Sequence, residues 1–526
     1  MNNPLLEHFT LPPFSHIKPE HVEPAIDAVL AANRKAIAEM LNEPCHFDWA
    51  NLVEALDDLD DLLSRIWSPV SHLNAVLNSE ALRKAYNACL PKLSEYATEL
   101  GQNEALYQAY QSLADGPEFD RLDSAQQKVI ENTLRDFRLS GVGLPAAEKA
   151  RYKELATELS HLASRFQDNL LDATQAFSRL LTDESQLAGF PDSARAAARQ
   201  LASAKEQEGW LFTLDFPSYI AVMTYADDRQ LRQDFYTAYA TRASDQGPAA
   251  GQFDNTEMMD NILALRHEQA QLLGFDNYAE QSIATKMARS TSEVVEFLSD
   301  LARRSLPYAR KDLDALRQFA RNEYGLDDIE AWDLPYYSEK LREKLYAFSE
   351  EEVRAYFPAP QVIQGLFALL GKLYGVVIEP VHDVDIWHPE AGFYRISDQA
   401  GPVRGFFYLD MYARANKRGG AWMDDCVTRR RRNGIVQLPV AYVVCNFTPP
   451  NPEQPALLRH EEVETLFHEF GHALHHLLTR MDYLGVSGIR GVEWDAVELP
   501  SQFMENFCWE PEPLAMMTGH YESGEA

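Results

Sequence analysis

The sequence predicts a mainly α-helical protein with one small β-sheet, on three observations. Apolar residues recur at intervals of three and four over most of the chain, glycine is sparse in those stretches, and β-branched and aromatic runs bounded by turn formers cluster between positions 375 and 447. At 526 residues the chain is longer than one hydrophobic core usually serves, so two lobes are expected. Its 46% hydrophobic and 24% charged residues are the composition of a folded globular protein.

The elements follow in order. Residues 22–40, 52–73 and 147–171 carry the three-four spacing of amphipathic helices that pack on one another. Ser124, with Gln127 three residues on, reads as a capping box that opens a helix running to Phe137. Helical pattern continues to about Arg354, interrupted at 216–223, and no repeat of fixed period occurs. Strands are expected at 375–378, 392–397, 403–411 and 435–446, and the proline content of 449–455 makes that stretch a loop. The chain thus divides into an N-terminal helical region (1–150), a second helical lobe (151–350) and a region (351–526) that holds the small sheet.

Charge and cysteine usage exclude several functions. With 48 basic against 80 acidic residues the net charge is −32, a field that repels phosphates and excludes nucleic acid as a partner. The five cysteines, Cys45, Cys89, Cys426, Cys445 and Cys508, lack CxxC spacing, which argues for a reducing compartment and against a thiolate metal site. The first residues have no basic stretch followed by an apolar one. The apolar stretch 362–381 is broken by Gln364, Lys372 and Glu379, so neither a signal peptide nor a membrane span is expected. These features predict a cytoplasmic protein with no membrane partner, and a monomer is favoured. The four arginines 429–432 read as a solvated turn that pairs with acidic surface; a cationic patch for a ligand carboxylate is the alternative.

Chemistry concentrates in VETLFHEFGHALHHLL. Val463, Leu466, Phe467, Phe470, Leu474, Leu477 and Leu478 form the core-facing stripe of a helix. His468 and His472 lie four apart, so both imidazoles project from one face and can hold a single Zn²⁺. Glu469, beside the first, can take a proton from a metal-bound water without being a ligand. HExxH arises by chance in roughly a few of a hundred such chains, so its weight comes from the periodic helix that carries it.

A zinc hydrolase needs a third protein ligand and an open fourth position. His476 would sit too far along a straight helix to close the site, and the longer HExxHxxGxxH pattern fails because His475 and Leu478 occupy its last two fixed positions. Both histidines read as supporting or packing residues. In DAVELPSQFMENFCWE, read as one helix, Glu498, Ser501, Gln502 and Glu505 share a polar stripe, with Pro500 in the first turn. Glu498 could present a carboxylate with Gln502 and Glu505 behind it as supporting partners, and the stripe could equally be a solvent-facing side.

The residues FHEFGHALH and VELPSQFMENF, joined by a connector with Gly485, Gly488 and Gly491, closely resemble the thimet oligopeptidase family of zinc metallopeptidases. FSHIKPEHVEPAI near the start and GFFYLDMYARANKRGGAW look most like its bacterial members. The resemblance runs along the whole chain. It implies one Zn²⁺ per chain held by His468, His472 and Glu498, with Glu469 as general base, in a two-lobed helical ellipsoid split by a deep channel that admits short unstructured peptides and excludes folded proteins. By analogy, the strand at 435–446 would be the edge along which a peptide lies extended; no residue is assigned to substrate binding.

The resemblance further implies that family members continue past the point matching Ala526, through a loop whose tyrosine and histidine help stabilise the oxyanion. The sequence as it stands is therefore expected to turn over more slowly than a longer relative, with His520 and Tyr521 the one His-Tyr pair near its end. The expected function is zinc-dependent endopeptidase action on short peptides, including cleaved signal peptides. The alternatives are a peptidyl-dipeptidase of the same family, with a cation such as Arg431 as anchor, or a zinc-containing peptide-binding module inactive because of C-terminal truncation.

Overall fold

The computed structural model describes residues 3–42, 46–451 and 454–525. Cys45 and residues 452 and 453 of the expected loop lie outside the described residues.

Six helices, α1 to α6, span Pro19–Asn42, Glu54–Val76, Glu80–Gly101, Glu104–Ala114, Ser124–Leu139 and Ala146–Ala176. The cap of α5 is one residue earlier than expected. Asp123, a better acceptor than a hydroxyl, takes the backbone N–H groups of Ala125 and Gln126, and the Gln126 side chain returns the bond. A short ribbon follows, β1 (Ser178–Leu181) paired antiparallel with β2 (Trp210–Thr213), enclosing α7 (Asp192–Ala204). The expected interruption at 216–223 is instead helix α8 (Phe216–Tyr225), with Pro217 tolerated in its first turn; the extended segment lies just before it, in β2. Helices α9 to α15 (Arg229–Ala240, Thr256–Leu272, Tyr278–Ile283, Thr291–Tyr324, Leu334–Tyr346, Glu350–Arg354, Ala359–Tyr374) lead to the main sheet.

That sheet has five strands in the order β3-β4-β5-β9-β6: Val376–Pro380, Gly392–Asp398, Val403–Tyr412, Val440–Phe447 and Trp422–Val427. β5 and β9 run parallel and every other neighbouring pair is antiparallel. The strand expected at 435–446 is two strands in two sheets. β8 (Ile435–Gln437) pairs with β7 (Arg430–Arg432) in a hairpin, and β9 starts after Pro439, which cannot donate to a ladder.

β9 is therefore not the peptide edge that its position before the active helix suggested. Hydrogen-bonded neighbours flank it on both sides, and the sheet edge beside it is β6, a strand the sequence reading missed. Both faces of β9 are covered, which explains its unbroken apolar run. Ala441, Val443, Cys445 and Phe447 join the core that includes Phe467, Phe470 and Leu474, while Val440, Tyr442 and Val444 pack with Val22, Ile26, Ile66 and Val70 of α1 and α2.

Buried polar groups tie the loop after β5 to the sheet. Asp410 accepts from Trp387 Nε1 (2.9 Å), Arg414 and Lys417 Nζ (2.7 Å), and Lys417 also donates to Cys445 O at 2.6 Å. Burial holds the Lys417 ammonium down to about 8, with Asp410 opposing the shift. Asp410, Arg414 and Lys417 belong to the motif GFFYLDMYARANKRGGAW, whose work here is to fix the segment that leads into β6.

The four arginines pair with acids as the plainer expectation has it, but they are not a solvated turn: residues 430–432 form β7, and of the four only Arg431 is exposed. Arg430 and Arg432 bind Asp58 of α2, Arg430 also reaches Asp61, Arg432 reaches Glu54, and Arg429 and Arg431 bind Asp482. Beside these acids, Asp57 of α2 is pushed up to about 7, chiefly by burial and then by Asp60, against Arg430 and Arg490. An acid raised on folding costs nothing below its unfolded value near 3.8 and destabilises increasingly as pH rises toward about 7. Asp57→Asn is therefore expected to leave stability near pH 4 almost unchanged and to raise it by about 1–3 kcal/mol above pH 7, read from urea unfolding at both pH values.

Among the described residues, Cys89, Cys426, Cys445 and Cys508 are buried free thiols, and no helix is long and apolar enough to cross a membrane.

Candidate active site

Helix α16 (His460–Leu477) lies across the sheet with Val463, Leu466, Phe467, Phe470, Ala473, Leu474 and Leu477 buried. Its start is fixed by Glu462, whose side chain accepts the Arg459 N–H at 2.8 Å, and its first turn carries Glu461 and Glu462 at the positive end of the dipole. With that stripe committed to the core, His468 and His472 emerge on the opposite side.

The segment read as one helix from Asp495 is three pieces: a 3₁₀ turn Trp494–Ala496, helix α17 (Leu499–Glu505) and a 3₁₀ turn Asn506–Cys508. Glu498 is the N-cap of α17, with Pro500 within its first turn. Cap placement turns the carboxylate toward α16: Glu498 Oε2 lies 3.2 Å from His468 Nε2 and 3.0 Å from His472 Nε2.

Gly471 makes this approach possible. A Cβ built there would sit 2.5 Å from Pro500 O, 2.5 Å from Ser501 Cα and 2.9 Å from Pro500 C, all parts of α17's first turn. Only glycine lets the two helices come so close.

The donors fit a metal ion. Among the described residues His468, His472 and Glu498 are the one trio whose ligand atoms lie within 4.8 Å of one another. Separations of 3.0 and 3.2 Å match the edge of about 3.3 Å between ligands bound tetrahedrally at about 2.0–2.1 Å. Glu505 Oε1 accepts from His468 Nδ1 at 2.6 Å, which fixes the tautomer and leaves the Nε2 lone pair free. Ser501, wholly buried, donates to Glu498 Oε2 at 2.7 Å.

Of the two supporting candidates, Glu505 is thus in place. Gln502 is exposed, and among the described residues its hydrogen bonds run through its backbone. Glu505→Ala is expected to weaken metal binding by about ten- to a hundredfold, measurable by competition with a chelator.

Glu469 lies on the sheet side of the imidazoles and is buried, at 6% exposure. Its carboxyl is pushed up to about 7, chiefly by burial and also by Glu498, while His468 and a bond from the Met423 N–H of β6 oppose the shift. Met423 escaped the sequence reading because the signal is a backbone amide of a strand that carries two acids. His472 is shifted down, first by burial, so its neutral, ligating form is favoured. His475 and His476 do not join the trio, in keeping with their reading as supporting residues, and His520 and Tyr521 pack at Tyr356 and Ala355.

A helical fold around a small mixed sheet, with two imidazoles and a carboxylate brought together from adjacent helices beside a buried acid, is the architecture of a zincin-like metallopeptidase. Comparison with known proteins makes this specific. Residues 222–526 match the model of peptidase family M3, and residues 26–149 match that of the neurolysin/thimet oligopeptidase N-terminal domain. Oligopeptidase A of Salmonella typhimurium is 55% identical over 526 residues, covering 100% of this chain and 77% of that protein. The Haemophilus influenzae oligopeptidase A is 51% identical, and the Escherichia coli dipeptidyl carboxypeptidase 31%, each again over 77% of its length. Among solved structures, a putative oligoendopeptidase F from Bacillus anthracis superposes with TM-score 0.55 at 14% identity, over 94% of this chain and 72% of that one. The chain belongs to peptidase family M3, and it is an oligopeptidase and a metallopeptidase.

Proposed function

We propose that the chain is a zinc-dependent endopeptidase acting in the cytoplasm on short, unstructured peptides, with one Zn²⁺ held by His468, His472 and Glu498. The observation that carries this reading is the convergence of three donor atoms beside a buried carboxyl. Two imidazoles and one carboxylate suit zinc and leave a position for substrate. When bound, zinc supplies a Lewis acid that lowers the pKa of water at the site and polarises a carbonyl.

The chain's own residues do the rest. Glu505 keeps His468 oriented, and Ser501 keeps Glu498 turned inward. Glu469, poised near neutrality and held by the Met423 N–H, takes a proton from the attacking water and returns it to the leaving amine. The outer edge of β6 pairs with no strand among the described residues, so an extended peptide can lie along it through main-chain bonds that make no sequence demand. Access through a channel between the lobes is part of the proposal, as are a monomeric state and the absence of nucleic-acid and membrane partners.

Dipeptide release would require a free cation for the peptide's C-terminus. Arg431, the residue considered for that task, is bound to Asp482 at 2.7 Å, which supports internal cleavage. Mass-spectrometric products of one nonapeptide test the reading. Internal cuts at several sites are expected, with a folded protein such as native lysozyme left intact; release of C-terminal dipeptides alone, or efficient digestion of native lysozyme, would contradict it.

A further inference from the structure

Strand β6 packs against α16. At one end the Met423 N–H faces the Glu469 carboxyl; at the other His476 Nε2 lies 3.0 Å from Val427 O. A carbonyl can only accept, so Nε2 carries the proton. Glu469 and His476 are two helical turns apart, about 10.5 Å, and Met423 and Val427 are about 13 Å apart along a strand. The strand therefore runs beside the helix, and the imidazole secures its far end.

His476 is wholly buried, and a polar ring there needs a partner. Its Nδ1 has none and faces Gly488, where an added Cβ would lie 2.7 Å away. One side of the ring is packed, then, and the other bonded; an apolar side chain would fill the space but leave Val427 unheld. The C-terminal half of β6 is pinned elsewhere too. Ser68 Oγ donates to Asp425 O at 3.1 Å, and the Asp425 carboxylate is held by Thr428 (2.9 Å) and Arg490 (3.1 Å). The N-terminal half, at Trp422 and Met423, is the part that meets Glu469.

We propose that His476 is a positioning residue for peptide binding: by holding Val427 it sets the height of β6 against α16, and so the register in which a peptide main chain meets Glu469. The inference rests on the reading that peptides pair with the β6 edge. The His476 side chain is not one of the three metal donors; its ring bonds Val427 of β6 instead.

Three variants of the full chain test it: His476→Gln, whose amide reaches Val427; His476→Asn, one methylene too short; and His476→Leu, which fills the space without a donor. Backbone hydrogen exchange over residues 422–427 is measured beside kcat, KM and the product pattern on one nonapeptide at matched metal content. For Asn and Leu, exchange in β6 should accelerate by about tenfold or more with β5 unchanged. KM should rise by about three- to tenfold, more than kcat falls, and cleavage sites should shift. Gln should stay within about twofold of wild type on every readout. A merely structural role would lower kcat through the active fraction at constant KM.

Unchanged exchange in the Asn and Leu variants would overturn the proposal, as would a Gln variant that is equally impaired or fails to fold. If Leu does not fold, the Gln and Asn pair decides alone. Faster exchange with unaltered KM and products would leave the clamp standing, contradict the edge-strand reading, and overturn the inference with it.

Discussion

Glu469→Gln is expected to lower kcat by about two to four orders of magnitude while metal content stays at the wild-type level. The amide has the shape of the carboxyl and can still accept the Met423 N–H through its oxygen, so β6 and the imidazoles should not move. What it cannot do is take a proton. Because Glu469 is a base in this account and not a ligand, the two readouts must separate. Metal analysis and steady-state kinetics on the same preparation show whether they do. Undiminished turnover would remove the proposed proton acceptor, and parallel loss of metal would make Glu469 part of the coordination shell.

Gly471→Ala should have the opposite signature: loss of metal first, and of activity because of it. The added methyl meets Pro500 O and Ser501 Cα at 2.5 Å, and both are backbone atoms that cannot swing aside. Helix α17 must retreat, and it carries Glu498 at its cap and, one turn on, Ser501. Overpacking of this kind costs about 1–3 kcal/mol of stability, so the variant is expected to fold. Metal affinity should fall by about a hundredfold or more, since the displaced group is a ligand itself and not only its support. Chelator competition and thermal unfolding on apo protein check the two parts; wild-type affinity would show that the helices tolerate separation.

Much of the helical frame was legible because its signal is local. Residues 22–40 and 147–171 carry their own periodicity, and they sit within α1 (Pro19–Asn42) and α6 (Ala146–Ala176). The histidine pair was legible for the same reason, since four residues on a helix fix one face. Glu498 was legible as a residue and not as a place: its spacing fitted a stripe, whereas the chain uses it as an N-cap after a 3₁₀ turn. The β6 edge was hidden by two acids in WMDDCV, one of which, Asp424, takes the next residue's N–H. The split of 435–446 hung on one proline. Gly471 carries no local signal beyond the cost of about 1 kcal/mol of any glycine inside a helix, because the backbone it accommodates, at Pro500 and Ser501, is remote in sequence. The arginine run could be assigned its acidic partners only once α2 stood opposite the hairpin.

The claim on which the account turns is that His468, His472 and Glu498 hold one zinc. The direct measurement is zinc per chain, by elemental analysis after exhaustive dialysis against a weak chelator, for the wild-type chain and for His468→Ala and Glu498→Ala. About one zinc is expected in the wild type, because three protein ligands hold it, and near none in either variant. Wild-type zinc content in both variants would show that the metal is held elsewhere and that the ligand assignment is wrong.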